Sequence, residues 1–329
     1  MTTPRIFITQ PVAQSALDRI RTRTDITMHA DSSKILTKDA LIEAVRNTDI
    51  LYCLLHDTVD RDVLIANPQL RAVASQSITP DRIDVEAATE LGIPVTVVPA
   101  VVTDATADIA FALVLSVARR ILEGDKLVRS GGFPGAQSAH LLGADVSGKT
   151  IGLIGGKGRI GQAVGRRAQG FDMRVLYWGP RRLTKDEEQA ANLEYMDFDD
   201  LLAASDFISL HAAMSPETHH SMSTREFKLM KSTAFIINTA RGPVIDEKAL
   251  VIALQTGEIA GAGLDVFENE PDVESPLLTM KNVVLTPHLG SAAHDVREGM
   301  AHRVVDNIVA FLDGTSPPNC ANPQVLSDK

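Results

Sequence analysis

The sequence predicts an α/β protein built from two doubly wound parallel-sheet units. Three observations predict it. The chain has 329 residues, about two domains at the usual 100–200 residues each. Short β-branched runs alternate with Ala/Leu-rich helical stretches, the pattern of parallel sheets covered on both faces. A glycine-rich turn joins an apolar strand to a helix near the middle of the chain.

Composition agrees. With 44% hydrophobic residues the chain can bury a large core, which excludes disorder as its main state. Gly 22 and Pro 16 are near average, which excludes collagen-like and low-complexity architectures. The net charge of −10 and pI near 5.4 argue against a nucleic-acid surface, which needs clustered Lys and Arg. Only 10 Phe, 3 Tyr and 1 Trp are available for base stacking.

Cys53 and Cys320 make neither a disulfide framework nor a metal-ligand spacing, and Cys53 in the run ILYCLL reads as a small buried hydrophobe. The start MTTPRIFITQ lacks the charged head and apolar core of a signal peptide. The longest apolar stretch, Ile109–Ala118, has ten residues, half of a membrane span. These features read as a soluble, cytoplasmic protein without metal, membrane or nucleic-acid partners.

Taken in order, the first series of strands is Arg5–Thr9, Ile50–Leu55, Arg71–Ser75 and Val95–Val98. Between them Lys38–Arg46 places Leu41, Ile42 and Val45 on one helical face. A second series follows at Thr150–Ile154, Arg174–Trp178, Phe207–Leu210, Ala234–Asn238, Gly261–Val266 and Val283–Leu285. One long helix is expected from a Thr103 cap to about Val128, apolar nearly all round and buried between domains or subunits. Another runs from about Asp295 to Leu312, with Met300, Val304, Ile308 and Leu312 at helical spacing. The Pro-, Asn- and Ser-rich stretch Ser316–Lys329 reads as a poorly ordered tail.

Strand Thr150–Ile154 runs into Gly155-Gly156-Lys157-Gly158-Arg159-Ile160-Gly161, in which residues 156–161 fit G-x-G-x-x-G. Between a strand and a helix, that motif gives a tight turn, bare backbone beside a pyrophosphate, and helix N–H groups aimed at the anion. The next strand ends in Trp178-Gly179-Pro180-Arg181-Arg182. An NAD site would place an acid there, on the ribose 2′-hydroxyl. Glycine leaves room for a 2′-phosphate instead, and two guanidinium groups can grip it, so NADPH is expected over NAD.

Three further segments each begin where a strand is expected to end, the edge at which open α/β sheets hold ligands. They are Ile237-Asn238-Thr239-Ala240-Arg241-Gly242, Gly263 to Pro271 (GLDVFENEP), and Thr286-Pro287-His288-Leu289-Gly290-Ser291. A guanidinium, a carboxylate and an imidazole suffice to reduce a 2-oxo acid: one holds the carboxylate, one donates the proton, one keeps the donor charged.

At these residues the chain resembles the D-isomer-specific 2-hydroxyacid dehydrogenases, and within them the glyoxylate/hydroxypyruvate reductases. The resemblance runs from about Lys38 to Pro318 and includes Thr103-Asp104-Ala105-Thr106-Ala107-Asp108. It implies a Rossmann dinucleotide-binding domain, 101–293, inserted into a flavodoxin-like substrate domain of residues 1–100 and 294–329. It also implies a homodimer with Thr103–Val128 at the contact. By position, Arg241 would bind the substrate carboxylate and carbonyl, His288 would be the acid–base, and Glu270 would pair with His288; Glu268 does not match. Leu55, Ile78 and Thr79 would line the substrate pocket. Thr103, His211, Thr239, Ala240, Asp265 and Gly290 would join the glycine loop and residues 179–182 around the cofactor, Asp265 at the nicotinamide amide. His219 and His220 follow a Pro-Glu-Thr loop and read as solvated.

The chain departs from that family at four places. Ile78-Thr79-Pro80 replaces a Val-Gly-Tyr stretch, Ala136 stands where many reductases have tryptophan, Val97 replaces a common asparagine, and the glycine loop is one residue longer. Loss of the tryptophan implies room for an acid bulkier than glyoxylate. The alternative reading is a dinucleotide-sensing, corepressor-like protein of the same fold.

Overall fold

The computed structural model describes residues 3–99 and 101–326. Ala100, at the expected domain boundary, and the last three residues of the expected tail lie outside them. The chain divides into two compact units, Met1–Val101 with Ala293–Lys329, and Val102–Ala292.

The first unit carries β1 Arg5–Ile8, β2 Asp25–Met28, β3 Ile50–Cys53, β4 Ala72–Ser75 and β5 Val95–Thr96. All pairs are parallel, in the order β2-β1-β3-β4-β5, the flavodoxin-like doubly wound arrangement. Every residue of β3 and β4 is buried, which is why both read as continuous apolar runs. β2 is an exposed edge strand with no such run, and the sequence reading passes over it.

Helix His294–Leu312 belongs to this unit and buries Met300, Val304 and Ile308. The described part of the tail is held in place and ends in a short helical turn, Pro323–Leu326, which corrects the expectation. Asn322 is buried, accepts the Val95 amide at 2.8 Å, and donates to Ile93 O at 3.0 Å and Thr89 Oγ1 at 3.1 Å. Those partners lie more than 220 residues away in sequence, so composition alone misleads here.

The second unit carries β6 Thr150–Ile154, β7 Arg174–Trp178, β8 Glu194–Tyr195, β9 Phe207–Leu210, β10 Phe235–Asn238, β11 Gly261–Leu264 and β12 Val283–Leu285. All are parallel, in the order β12-β11-β10-β9-β6-β7-β8, the Rossmann order extended by one strand. β8, two residues on the edge, is the other strand the sequence conceals. The expected helix 103–128 is two helices, Thr103–Ala118 and Ile121–Arg129, broken where Arg120 takes φ +52. Thr103 is the first helical residue and not the cap; Val102 precedes it without a side-chain bond. The first helix packs on the sheet, and a Cβ on Gly263 would stand 2.9 Å from Leu113 Cβ. That closeness explains a strand as glycine-rich as GAGL.

Candidate active site

In a parallel sheet every strand ends on the same edge. The C-terminal ends of β6, β7, β9, β10, β11 and β12 therefore bring the second unit's candidate residues to one side. Strand order reverses between β6 and β9, the switch point at which such sheets hold nucleotides. Gly155 sits there at φ +84, and a Cβ would lie 2.7 Å from Ala212 N. Gly158 N donates to Gly155 O at 2.9 Å, so the extra loop residue is taken up in a tight turn. Gly158 then caps helix Arg159–Gln169, with Ile160 on its first turn. A Cβ on Gly156 would meet Tyr177 Cβ at 2.5 Å, and one on Gly161 would meet Gly156 Cα at 2.6 Å. The backbone is bare where a pyrophosphate must approach.

Two buried polar atoms on the same edge have no partner among the described residues, His211 Nδ1 after β9 and Thr239 Oγ1 after β10. His211 Nε2 is 2.9 Å from Ser209 Oγ, and burial pushes the imidazole down to about 4. The ring presents some surface, yet Nδ1 is shut off from solvent and Nε2 is engaged by Ser209, so the neutral form is held. An unpartnered buried polar atom is expensive, and a bound polar group relieves it. The glycine cradle and these two orphans fit a dinucleotide.

The remaining strand ends hold Arg241, Glu270 and His288. Asn238 closes the β10 exit, with Oδ1 accepting Ala240 N and Nδ2 donating to Arg241 O, both at 3.0 Å. Arg241 is half-buried in extended backbone, and its Nη1 donates to Ala240 O at 2.7 Å. Gly242 follows because nothing larger fits: a Cβ would be 1.8 Å from Phe267 O. The Arg241 turn thereby rests directly on the strand-end loop that carries Glu270. That loop folds back so that Glu270 Oε1 accepts Phe267 N at 3.1 Å, while Oε2 stands 3.0 Å from His288 Nδ1. His288 is at φ +55.

Asp265 secures the His288 loop. Its Oδ1 accepts Thr286 Oγ1 at 2.6 Å and Leu289 N at 2.7 Å, and its Oδ2 accepts Gly290 N at 2.8 Å. Its carbonyl accepts His288 N at 2.9 Å, and Thr106 Oγ1 donates to Gly290 O at 3.0 Å. The carboxylate expected beside the cofactor amide is thus already engaged in shaping the loop.

At the end of β7, Gly179 is buried and Pro180 exposed. The two arginines that follow are not equivalent. Arg182 pairs with Glu188 at 2.7 and 3.0 Å and lies over the Tyr195 ring at 4.8 Å. Glu188 Oε1 also accepts Tyr177 Oη at 2.7 Å. Arg181 is exposed and makes no ion pair among the described residues.

The family model for the D-isomer specific 2-hydroxyacid dehydrogenase NAD binding domain matches residues 111–290. A glyoxylate reductase of Thermococcus litoralis is 47% identical over 328 residues, 98% of either chain. One of Korarchaeum cryptofilum is 45% identical over 325 residues, 98% of this chain and 97% of that one. This chain is a D-isomer-specific 2-hydroxyacid dehydrogenase. Its fold agrees with that of the TT0316 protein of Thermus thermophilus, TM-score 0.88 at 40% identity, covering 96% of this chain and 99% of that one. It also agrees with that of an NADPH-dependent glyoxylate/hydroxypyruvate reductase of Sinorhizobium meliloti in complex with NADP and malonate, 0.81 at 30% identity and 97% of each chain. Membership makes the protein an oxidoreductase with a nicotinamide dinucleotide cofactor.

In this dehydrogenase Leu55, Ile78 and Thr79 belong to the first unit, half-buried in the loops after β3 and β4. Asp57 holds the former loop, accepting Leu54 N at 2.7 Å and Thr9 Oγ1 at 2.5 Å. Ser77 Oγ holds the latter, donating to Thr79 O at 2.6 Å. Thr79 turns its own hydroxyl to Asp81 at 2.8 Å. One expectation is corrected outright: His220 is half-buried and not simply solvated, with Nε2 2.8 Å from Glu268 Oε1. No spacing in the sequence announces that pair. Among the described residues no helix is long and apolar enough to cross a membrane, and no cluster of His, Cys, Asp and Glu could hold a metal.

Proposed function

We propose that this dehydrogenase reduces a small 2-oxo acid to the D-2-hydroxy acid with NADPH, His288 giving the proton. The 3.0 Å contact between His288 Nδ1 and Glu270 Oε2, one strand end away from Arg241, carries the reading. With Nδ1 engaged by a carboxylate, Nε2 is the nitrogen left to face substrate. Arg241 holds the substrate carboxylate and polarises the carbonyl by charge-assisted hydrogen bonds. His288 passes its Nε2 proton to the carbonyl oxygen and becomes neutral, while its Nδ1–H stays on Glu270. Residues 155–161, with His211, Thr239 and Ala240, would hold the dinucleotide, which would supply the hydride. Leu55, Ile78 and Thr79 take the substrate side, and absence of a tryptophan at Ala136 favours acids bulkier than glyoxylate.

Support for NADPH over NADH comes from the bare backbone of Gly179 and the uncommitted Arg181. A charge-assisted bond to a 2′-phosphate is worth ~1.5–3 kcal/mol, roughly a tenfold to hundredfold preference. A homodimer belongs to the same reading. Helix Ile121–Arg129 has no buried residue, and Ile121, Leu122, Val128, Phe133 and Leu142 are all exposed on that arm, which a second copy would cover.

A panel of glyoxylate, hydroxypyruvate and bulkier 2-oxo acids, followed at 340 nm with each dinucleotide, tests the proposal. Turnover at or above ~1 s⁻¹ with NADPH on at least one acid supports it. Dinucleotide binding without turnover across the panel refutes it in favour of a sensing role.

A further inference from the structure

Both imidazole–carboxylate pairs of the second unit converge on one loop, Phe267–Glu270, and each is built on a histidine in left-handed backbone. His288 at φ +55 meets Glu270, and His220 at φ +49 meets Glu268. A non-glycine residue there is strained by about 1 kcal/mol or more and persists where its surroundings over-determine it. The contacts of His220 are of that kind. Its N–H donates to Pro243 O at 2.8 Å, inside the turn that follows Arg241. Its Nε2 faces Glu268 Oε1 at 2.8 Å.

Glu268 is fixed in turn from the other side. Its Oε2 accepts Glu247 N at 3.3 Å, and its own N–H donates to Glu247 Oε1 at 2.6 Å. Burial holds the Glu247 carboxyl above its usual range, so this anchor is shielded from water. A single parallel bridge outside the sheet joins the same two segments: Met222 N donates to Val244 O and Asp246 N to Met222 O, at 3.1 and 3.0 Å. The charged and titratable groups around His220 are Glu268, Glu247, Asp246 and the ring of His219, stacked 4.0 Å away.

We infer that His220 is a positioning residue: one side chain and its amide bind the Arg241 turn and the Glu270 loop together, so that Glu270 meets His288 at the right angle. It touches no reacting atom and acts through Glu268. The inference rests on the reductase reading for its kinetic consequence, though not for its structural one.

The test compares His220→Ala, His220→Gln and Glu268→Gln with the parent protein. Glutamine at 220 keeps an N–H for Glu268 without an imidazole. Expected are a fall of about tenfold or more in kcat for His220→Ala with the NADPH Kd within about twofold, and recovery to within about threefold in His220→Gln. Adding Glu268→Gln to His220→Ala should change little, because the two act as a unit. A second readout is independent of turnover: the Nδ1 ¹⁵N resonance of His288 in the ligand-free protein should move in His220→Ala and return in His220→Gln. If the parent protein reduces no 2-oxo acid, the functional proposal falls while this resonance still decides the role of His220. A folded His220→Ala with parental kcat and an unmoved His288 resonance overturns the inference. Should His220→Ala not fold, Glu268→Gln alone must reproduce the resonance shift, and an unshifted signal there overturns it equally.

Discussion

The carboxylate of Asp265 receives the amide of Gly290 at 2.8 Å, and across its other oxygen it receives Leu289 N and Thr286 Oγ1. One buried side chain therefore satisfies three donors of the loop on which His288 sits. Asp265→Asn keeps the shape and replaces one acceptor by an NH₂ that points at donors. An expected loss of ~1–3 kcal/mol in stability follows from an unmade buried bond. Calorimetry should show a lower Tm, and kcat should fall by about tenfold or more as His288 loses its place. Parental values of both would show that the loop holds itself.

His288→Ala removes the proposed proton donor and leaves the glycine loop untouched. General acid catalysis is worth roughly 10²–10⁴-fold, so kcat should drop within that range. The Kd for NADPH, read by fluorescence titration, should stay within about twofold. Near-parental turnover would take His288 out of the mechanism.

Arg181 and Arg182 should separate when substituted. Arg181→Ala is expected to weaken binding of 2′,5′-ADP by about tenfold or more while leaving 5′-AMP unchanged. Arg182→Ala breaks the Glu188 pair and the contact over Tyr195, and should act on both ligands alike through the loop. Calorimetric titration of both nucleotides distinguishes the outcomes. Equal selectivity loss in the two variants would return Arg182 to the phosphate site.

His211 sets a pH dependence of stability. Burial pushes its imidazole down to about 4, below the ordinary 6.5 of an unfolded chain. Between those values the unfolded state binds more protons, so stability rises with pH across that window and falls as acid is added. His211→Gln should flatten this component of Tm against pH between about 4 and 6.5 in the dinucleotide-free protein. An unchanged slope would mean that the ring nitrogens reach solvent.

Much of the site was legible because chemistry at strand ends is written in local order. The glycine loop, the Arg241 turn and the His288 segment each follow an apolar β-branched run, and the Glu270 segment follows a glycine-rich one, all of which a parallel sheet must terminate on one edge. The interior strands β3, β4, β6, β9 and β10 were legible for the same reason, since strands buried on both faces leave unbroken apolar runs. The edge strands β2 and β8 were not, because an edge needs no such run. The single helix expected over 103–128 failed at Arg120, whose left-handed backbone no periodicity announces.

By itself the sequence determined the fold class, and it put a glycine-rich loop, a guanidinium, a carboxylate and an imidazole at the ends of strands, because these depend on residue type at short spacing. Tertiary structure alone decided which polar groups are already engaged. Asp265 proved to hold a loop, Arg182 to pair with Glu188 while Arg181 stays open, His220 to grip Glu268, and Asn322 to bind the tail to β5. The physical reason is that a hydrogen bond is fixed by distance and direction in space. Its partner can stand 227 residues away, as Asn322 does from Val95, where no local pattern can encode it.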